Sequence, residues 1–415
     1  MPGFVELDRH RRRGDGQDDG SGKQTQHGSH GLTVAVNGGL TRIQAVRIIS
    51  TRPFPNAERL PTYIRLNVRK CCPMIRRPFR FVSIAVALAV MAILAASPIK
   101  ADNFSTVPTG ELISAVVGVR AHIPDDARTA GALGTERTGS GVVIDDAGLV
   151  LTIGYLILEA DSAEVIGPGG EPMSAVVVGY DHESGFGLLR TSRPLDVRPM
   201  ELGDSKPLTD GDPVLSVSFV GEPMASAARV VSRRPFAGYW EYLLESAIFT
   251  FPPNPQYGGA ALIAMDGRLV GIGSLFVGDA AEKDQPLPGN MFVPIEDLKP
   301  ILADLRDTGR RKDPAHPWLG LFASERNGRV FITTNTAGGG PAESAGLKAG
   351  DVIIGVANKR VGGLEDFFRK VWAQGDAGVS VPLNVVPQGA ESLEIRTYAV
   401  QSGNRYDWLK LRRSD

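Results

Sequence analysis

Residues 138 to 152 read TGSGVVIDDAGLVLT. Two β-branched apolar runs, GVVID at 141–145 and LVLTI at 149–153, flank a turn that ends in Gly148, which is the pattern of a hairpin. The same rhythm continues outward through AVVVGY (175–180), GLLRT (187–191), PVLSVSF (213–219) and LLESAIFTF (243–251). It reaches IAMDGRLVGIGSLF (263–276), where Asp266-Gly267 supplies a second hairpin turn. Short strands punctuated by Gly, Pro and Asp from 111 to 303 predict a sandwich or a pair of barrels. PIEDLKPILADLRD (294–307) closes this region as a helix, with Leu298, Ile301, Leu302 and Leu305 on one face. The basic, Pro-containing TGRRKDPAHP (308–317) then reads as a linker.

A smaller unit follows from 318 to about 400. It contains the strand-like runs RVFITTN (329–335) and DVIIGVANKRV (351–361), the Gly-rich loop TAGGGPAESAGLKAG, and a helix near Leu364 to Ala373. In that helix Leu364, Phe367, Phe368, Val371 and Trp372 recur at i, i+3, i+4, i+7 and i+8 and share a face.

The chain has 415 residues, 42% hydrophobic and 22% charged, an ordinary globular composition. Its net charge of -1 hides an asymmetry. Residues 1–101 carry 16 Lys+Arg against 6 Asp+Glu, so of the totals of 45 and 46 the remainder holds 29 against 40, or -11. An acidic body argues against nucleic acid as a partner. From Met74, MIRRPFRFVSIAVALAVMAILAASPIKADN places three arginines before a 16-residue apolar run (Phe81 to Ala96) and small residues ending at Ala101. This is the pattern of a secretory signal peptide over 74–101, and it implies a periplasmic or secreted protein. The alternative is an anchor in the inner membrane through 81–96, although 16 residues fall short of the ~20 that span a bilayer. Residues 1–73 read as a disordered leader or a wrongly assigned start. Both cysteines, Cys71 and Cys72, lie upstream of the signal, which excludes thiol catalysis and cysteine-ligated zinc from the exported part. No HExxH, Walker or dinucleotide motif is present, and no cofactor or metal is expected.

Taken together, TGSGVVIDDAGLVLT, DHESGFGLLR (181–190), YGGAAL with DGRLVGI, and MFVPIEDLKPIL (291–302) resemble the trypsin-fold domain of HtrA (Deg) serine proteases. GLKAGDVIIGVANKRVGGLEDFFRKV (346–371) is similar to the PDZ domain of that family. The resemblance implies a mainly β protein: a trypsin-like double β-barrel over 102–307, the linker 308–317, and an α+β PDZ domain over 318–405. It further implies assembly as a homo-trimer or as a mixed oligomer with an active homologue.

The chemistry implied by the resemblance is missing. A serine protease needs a hydroxyl nucleophile, an imidazole base, a carboxylate orienting it, and backbone N–H donors for the oxyanion. At the histidine, aspartate and serine positions of the family pattern stand Tyr155, Gly185 and Tyr257. A phenol of pKa about 10 cannot replace an imidazole of about 6.5 as a base near neutrality, and glycine orients nothing. In an ungapped reading Pro255, which has no N–H, takes the place of an oxyanion-donating glycine, and a gapped reading shortens the same loop. Three histidines remain after the signal, His122, His182 and His316. His182 and Ser184 lie two residues apart on one segment, too close to place an imidazole against an opposing nucleophile. Tyr257 is expected to fill the vacated cleft, and Ser140 reads as a turn residue.

Function is expected to survive in the PDZ-like unit, which by the resemblance adds a peptide C-terminus as a strand and holds its carboxylate on loop amides. The matching loop is Trp318, Leu319, Gly320 and Leu321, and Phe367 and Val371 are the groove-facing candidates on the helix. The expected protein is an exported pseudoprotease that binds peptide C-termini or unfolded proteins as chaperone, adaptor or modulator of an active homologue. The alternative is a serine-type endopeptidase with a rearranged site.

Overall fold

The computed structural model describes residues 109–282, 285–335, 339–389 and 394–411. The leader, the signal peptide and Cys71 and Cys72 lie outside the described residues. Among the described residues no helix is long and apolar enough to cross a membrane.

Six antiparallel strands form the first closed barrel: β1 (Val116–His122), β2 (Glu136–Val143), β3 (Leu149–Ile153), β4 (Ser162–Ile166), β5 (Pro172–Tyr180) and β6 (Phe186–Thr191), in the order β1-β2-β3-β6-β5-β4. A second barrel comprises β7 (Pro213–Phe219), β8 (Pro223–Gly238), β9 (Tyr242–Phe251), β10 (Ala261–Ile263), β11 (Leu269–Val277) and β12 (Gly289–Pro294), in the order β10-β11-β12-β9-β8-β7. One hydrophobic cluster runs through both, from Val119, Leu151 and Phe186 in the first to Phe249, Ile272 and Met291 in the second. Closure removes the free edges that such short strands would otherwise expose.

Ser140 departs from the sequence reading. It lies inside β2, not in a turn, and its Oγ accepts the Phe219 N–H at 2.9 Å, which joins the two barrels. The flanking glycines suggest a turn but answer to crowding: a Cβ at Gly139 would sit 2.5 Å from Leu156 and 2.7 Å from the Gly258 carbonyl. The predicted closing helix is also divided. Ile295–Asp297 form a single 3-10 turn and the helix proper spans Leu302–Thr308, since Pro300 between them has no N–H to give. The apolar face persists across the break, with Leu298, Ile301 and Leu305 buried.

The third unit is a sheet in the order β13-β14-β15-β17-β18, made of β13 (Leu321–Arg326), β14 (Arg329–Asn335), β15 (Val352–Val356), β17 (Ser380–Val386) and β18 (Arg396–Gln401). A short β16 (Lys359–Arg360) pairs with β15. The helix Leu364–Trp372 packs on the sheet through Leu364, Phe367, Phe368 and Val371, all buried. After β18 the chain returns to the first barrel: Asn404 caps the turn Arg405–Trp408, and the Tyr406 hydroxyl donates to the Tyr180 carbonyl at 3.0 Å.

Candidate functional site

The first candidate region lies where β3, β6 and the loop before β10 meet. β3 ends in a 3-10 turn, Gly154–Leu156, that carries Tyr155. Buried Arg137 from β2 holds this turn, donating to the carbonyls of Tyr155 at 2.7 Å and Leu158 at 3.1 Å. The Gly154 N–H donates to the Gly185 carbonyl at 2.7 Å, which sets the second position beside the first. Gly185 has φ +84°, and a Cβ there would meet the Tyr242 hydroxyl at 3.2 Å. That hydroxyl donates to the Ser184 carbonyl at 2.6 Å.

Tyr155 and Tyr257 both face one stretch of β11. The Tyr155 hydroxyl donates to the Ser274 carbonyl at 3.0 Å, next to a register shift between Gly273 and Leu275 that frees this oxygen from the ladder. The Tyr257 phenol lies beside the backbone N–H of Phe276, which opposes the rise that burial brings. Burial, and then the neighbouring Tyr257 phenol, pushes the Tyr155 hydroxyl above its ordinary value, and burial raises Tyr257 as well. Both phenols are therefore protonated near neutrality, and neither can take a proton from a hydroxyl nucleophile.

The amides around Tyr257 are largely engaged. Pro255 offers none, the Gln256 N–H donates to Asn254 Oδ1 at 2.9 Å, Gly259 to the Gly273 carbonyl at 2.9 Å, and Ala260 to the Tyr257 carbonyl at 3.0 Å. The two glycines after Tyr257 are required by close approach. A Cβ on Gly259, at φ +75°, would lie 1.9 Å from the Ser140 carbonyl, and one on Gly258 would lie 3.0 Å from the Tyr155 hydroxyl.

The other titratable residues named in the sequence reading are engaged elsewhere. Ser184 Oγ donates to Asp181 Oδ2 at 2.6 Å. Against the pull of burial, a bidentate Arg311 guanidinium (2.9 and 2.8 Å) holds Asp181 below the usual carboxylate range. His182 is buried edge-on against Tyr406, 4.6 Å between ring centres, and burial foremost, then Arg405, pushes it down to about 3. His316 stacks on Trp372 at 4.5 Å, and His122 is exposed beside Glu136. Among the described residues no group of three or more His, Cys, Asp or Glu is disposed to hold a metal.

The second candidate region is the loop Trp318–Leu321. Gly320 takes φ +71°, a left-handed conformation that turns successive amides toward one point. At that point sits the side chain of Glu241, from the tip between β8 and β9. Its Oε2 accepts the Leu319 N–H at 2.8 Å, and its Oε1 accepts those of Gly320 at 2.7 Å and Leu321 at 3.0 Å. Burial raises this carboxyl to about 7, opposed by the three amides and by Arg405. Two residues back, the Tyr239 carbonyl accepts the Ala323 N–H from β13 at 2.9 Å. Phe367 and Val371 are fully buried, in a cluster with Leu319, Leu321 and Leu243 of the second barrel. Glu241 was not found by sequence reasoning. One of two acids in GYWEYLLES, it carries no sign of partners 78 to 80 residues away.

Residues 139–272 match the trypsin-like peptidase domain family, and residues 335–386 match a PDZ domain family. The chain is 26% identical over 287 residues to the serine protease Do-like HtrA of Bacillus subtilis (61% of this chain, 62% of that protein). It is 26% identical over 284 residues to a probable periplasmic serine endoprotease DegP-like of Hahella chejuensis (64% and 58%). It is also 26% identical over 267 residues to the periplasmic pH-dependent serine endoprotease DegQ of Escherichia coli (61% and 57%). The chain spans about three-fifths of the length of these curated relatives.

Proposed function

Since this chain is a member of the HtrA family, with a trypsin-like peptidase domain followed by a PDZ domain, we propose that it has kept the family's capacity to bind peptides and lost its capacity to cut them. The reading rests on one observation: the three positions assigned to the triad hold Tyr155, Gly185 and Tyr257, and the Tyr155 phenol is tied up in a hydrogen bond to the backbone of β11. Binding then falls to the PDZ unit, with Trp318–Leu321 as the carboxylate loop and Phe367 and Val371 beneath the groove. The substrates of such a protein are peptide C-termini or unfolded chains, which it holds as chaperone or adaptor or presents to an active homologue in a mixed oligomer. Export through the signal at 74–101 to the periplasm, where two of the relatives above are placed by name, fits that role.

Activity measurements test the catalytic half of the proposal. Purified protein is expected to show no casein cleavage and no labelling by a fluorophosphonate probe. Tyr257→Ser alone is expected to remain inactive, because a hydroxyl restored without its base and orienting carboxylate regains almost nothing of a triad whose members act as a unit. Casein hydrolysis by the wild type, abolished by Tyr257→Phe with the fold intact, establishes instead a working peptidase with a rearranged site.

A further inference from the structure

A peptide that adds to the edge of β13 presents two things in register: a carboxylate to the loop amides and a main-chain carbonyl to the next inward-facing N–H of the strand. Both positions are filled from within the molecule. The Glu241 carboxylate takes the amides of Leu319, Gly320 and Leu321, and the Tyr239 carbonyl takes that of Ala323. The spacing matches, since Tyr239 precedes Glu241 by two residues and Ala323 follows Leu321 by two. Leu243, two residues after Glu241, belongs to the same apolar cluster as Phe367 and Val371. The Tyr239 ring packs edge-on to Phe322 at 5.7 Å, and the Trp240 carbonyl accepts from Arg405 at 3.2 Å.

Glu241 has φ +58°, the left-handed last position of the three-residue hairpin loop 239–241 between the paired Gly238 and Tyr242, so the hairpin itself aims this side chain. A cleft of about 390 Å³ continues from the hairpin tip along β13, lined by Tyr239, Trp240, Ala323, Ser324, Leu364 and Glu365. An incoming chain can engage there before the tip leaves.

We infer that the tip Tyr239–Glu241 is a built-in competitor for the peptide groove, the Glu241 side chain standing in for a peptide's terminal carboxylate, and that a ligand binds only by displacing it. The inference rests on the peptide-binding reading of the PDZ unit. Displacement makes the apparent affinity the intrinsic one multiplied by the open fraction. A tethered competitor acts at an effective concentration on the order of millimolar.

The test uses the full chain, Glu241→Gly and Glu241→Gln. Glycine accepts φ +58° without strain, which protects the fold of the first variant. The probe is a pool of decapeptides randomised at the last three positions, in free-acid and amidated forms, with the retained fraction measured by mass spectrometry. Amide hydrogen exchange of Leu319, Gly320, Leu321 and Ala323 is followed in parallel. Both variants are expected to retain at least about tenfold more free-acid peptide than the wild type, to retain little of the amidated pool, and to lose protection at the four amides when no peptide is present. Equal retention of free-acid peptide above the amidated pool by all three proteins overturns the competitor and leaves the peptide-binding reading standing. Unchanged protection of the four amides in the variants likewise overturns it. Loss of protection with no peptide retained by any protein defeats the peptide-binding reading and the inference with it.

Discussion

At the scale of single residues, the positions proposed here to correspond to a triad are fitted to the side chains they carry. Gly185 is the clearest case, because its φ of +84° strains any side chain and the Tyr242 hydroxyl would lie 3.2 Å from a notional Cβ. Gly185→Asp, the change that would return an aspartate, is expected to lower unfolding free energy by about 2 kcal/mol, as for other side chains forced into sparsely populated backbone regions. Urea denaturation with an unchanged m-value checks this, and wild-type stability in the variant refutes it. Tyr155, Gly185 and Tyr257 could be singled out from the sequence because each has a local motif a few residues away, LT before one, GFGLLR around another and Gly-Gly after the third. Glu241 could not, since its meaning lies in amides brought to it by folding and in a positive φ that nothing in its side chain announces.

At the scale of elements, the tip between β8 and β9 is a titrating device. Glu241 sits near 7 when docked, with burial as the main cause, and a freed glutamate returns to the ordinary 4.5. The docked state therefore binds more protons between those values. Raising the pH from 4.5 through 7 favours release, and outside that window the two states titrate alike. Arg405 faces the same carboxyl, and His182, Glu183 and His316 line the adjoining pocket. All four remain in Glu241→Gly, so the difference between the two proteins isolates Glu241. Wild-type retention of free-acid peptide is expected to rise several-fold from pH 5 to pH 8 relative to Glu241→Gly, and parallel profiles refute the assignment. The strands themselves were legible from alternation and turn residues. The helix over 294–307 was overdrawn because its apolar face runs unbroken through Pro300, where the backbone cannot follow.

At the scale of the whole molecule, the double barrel and PDZ order was legible because each unit carries its own local motifs. The fastening between them was not, because it consists of ion pairs and caps between distant segments. TGRRKDPAHP reads as a linker, yet its Arg311 grips Asp181 with two hydrogen bonds and forms an ion pair with Glu183 at 2.7 Å. Arg311→Leu leaves Asp181 buried without its counter-charge and is expected to cost about 3 to 5 kcal/mol. Thermal and urea unfolding measure it, and a loss below about 1 kcal/mol shows that the pair is neutral. Beyond β18, Tyr406 bonds to Tyr180, and the Lys410 N–H bonds to Glu159 at 2.8 Å. The PDZ unit is thus fastened to the first barrel on both sides, at Asp181 before it and at Tyr180 and Glu159 after it, like a bead on a ring. A protease that severs the chain between Arg311 and Trp318 opens the ring at one side only, and the severed half stays tethered by its own tail.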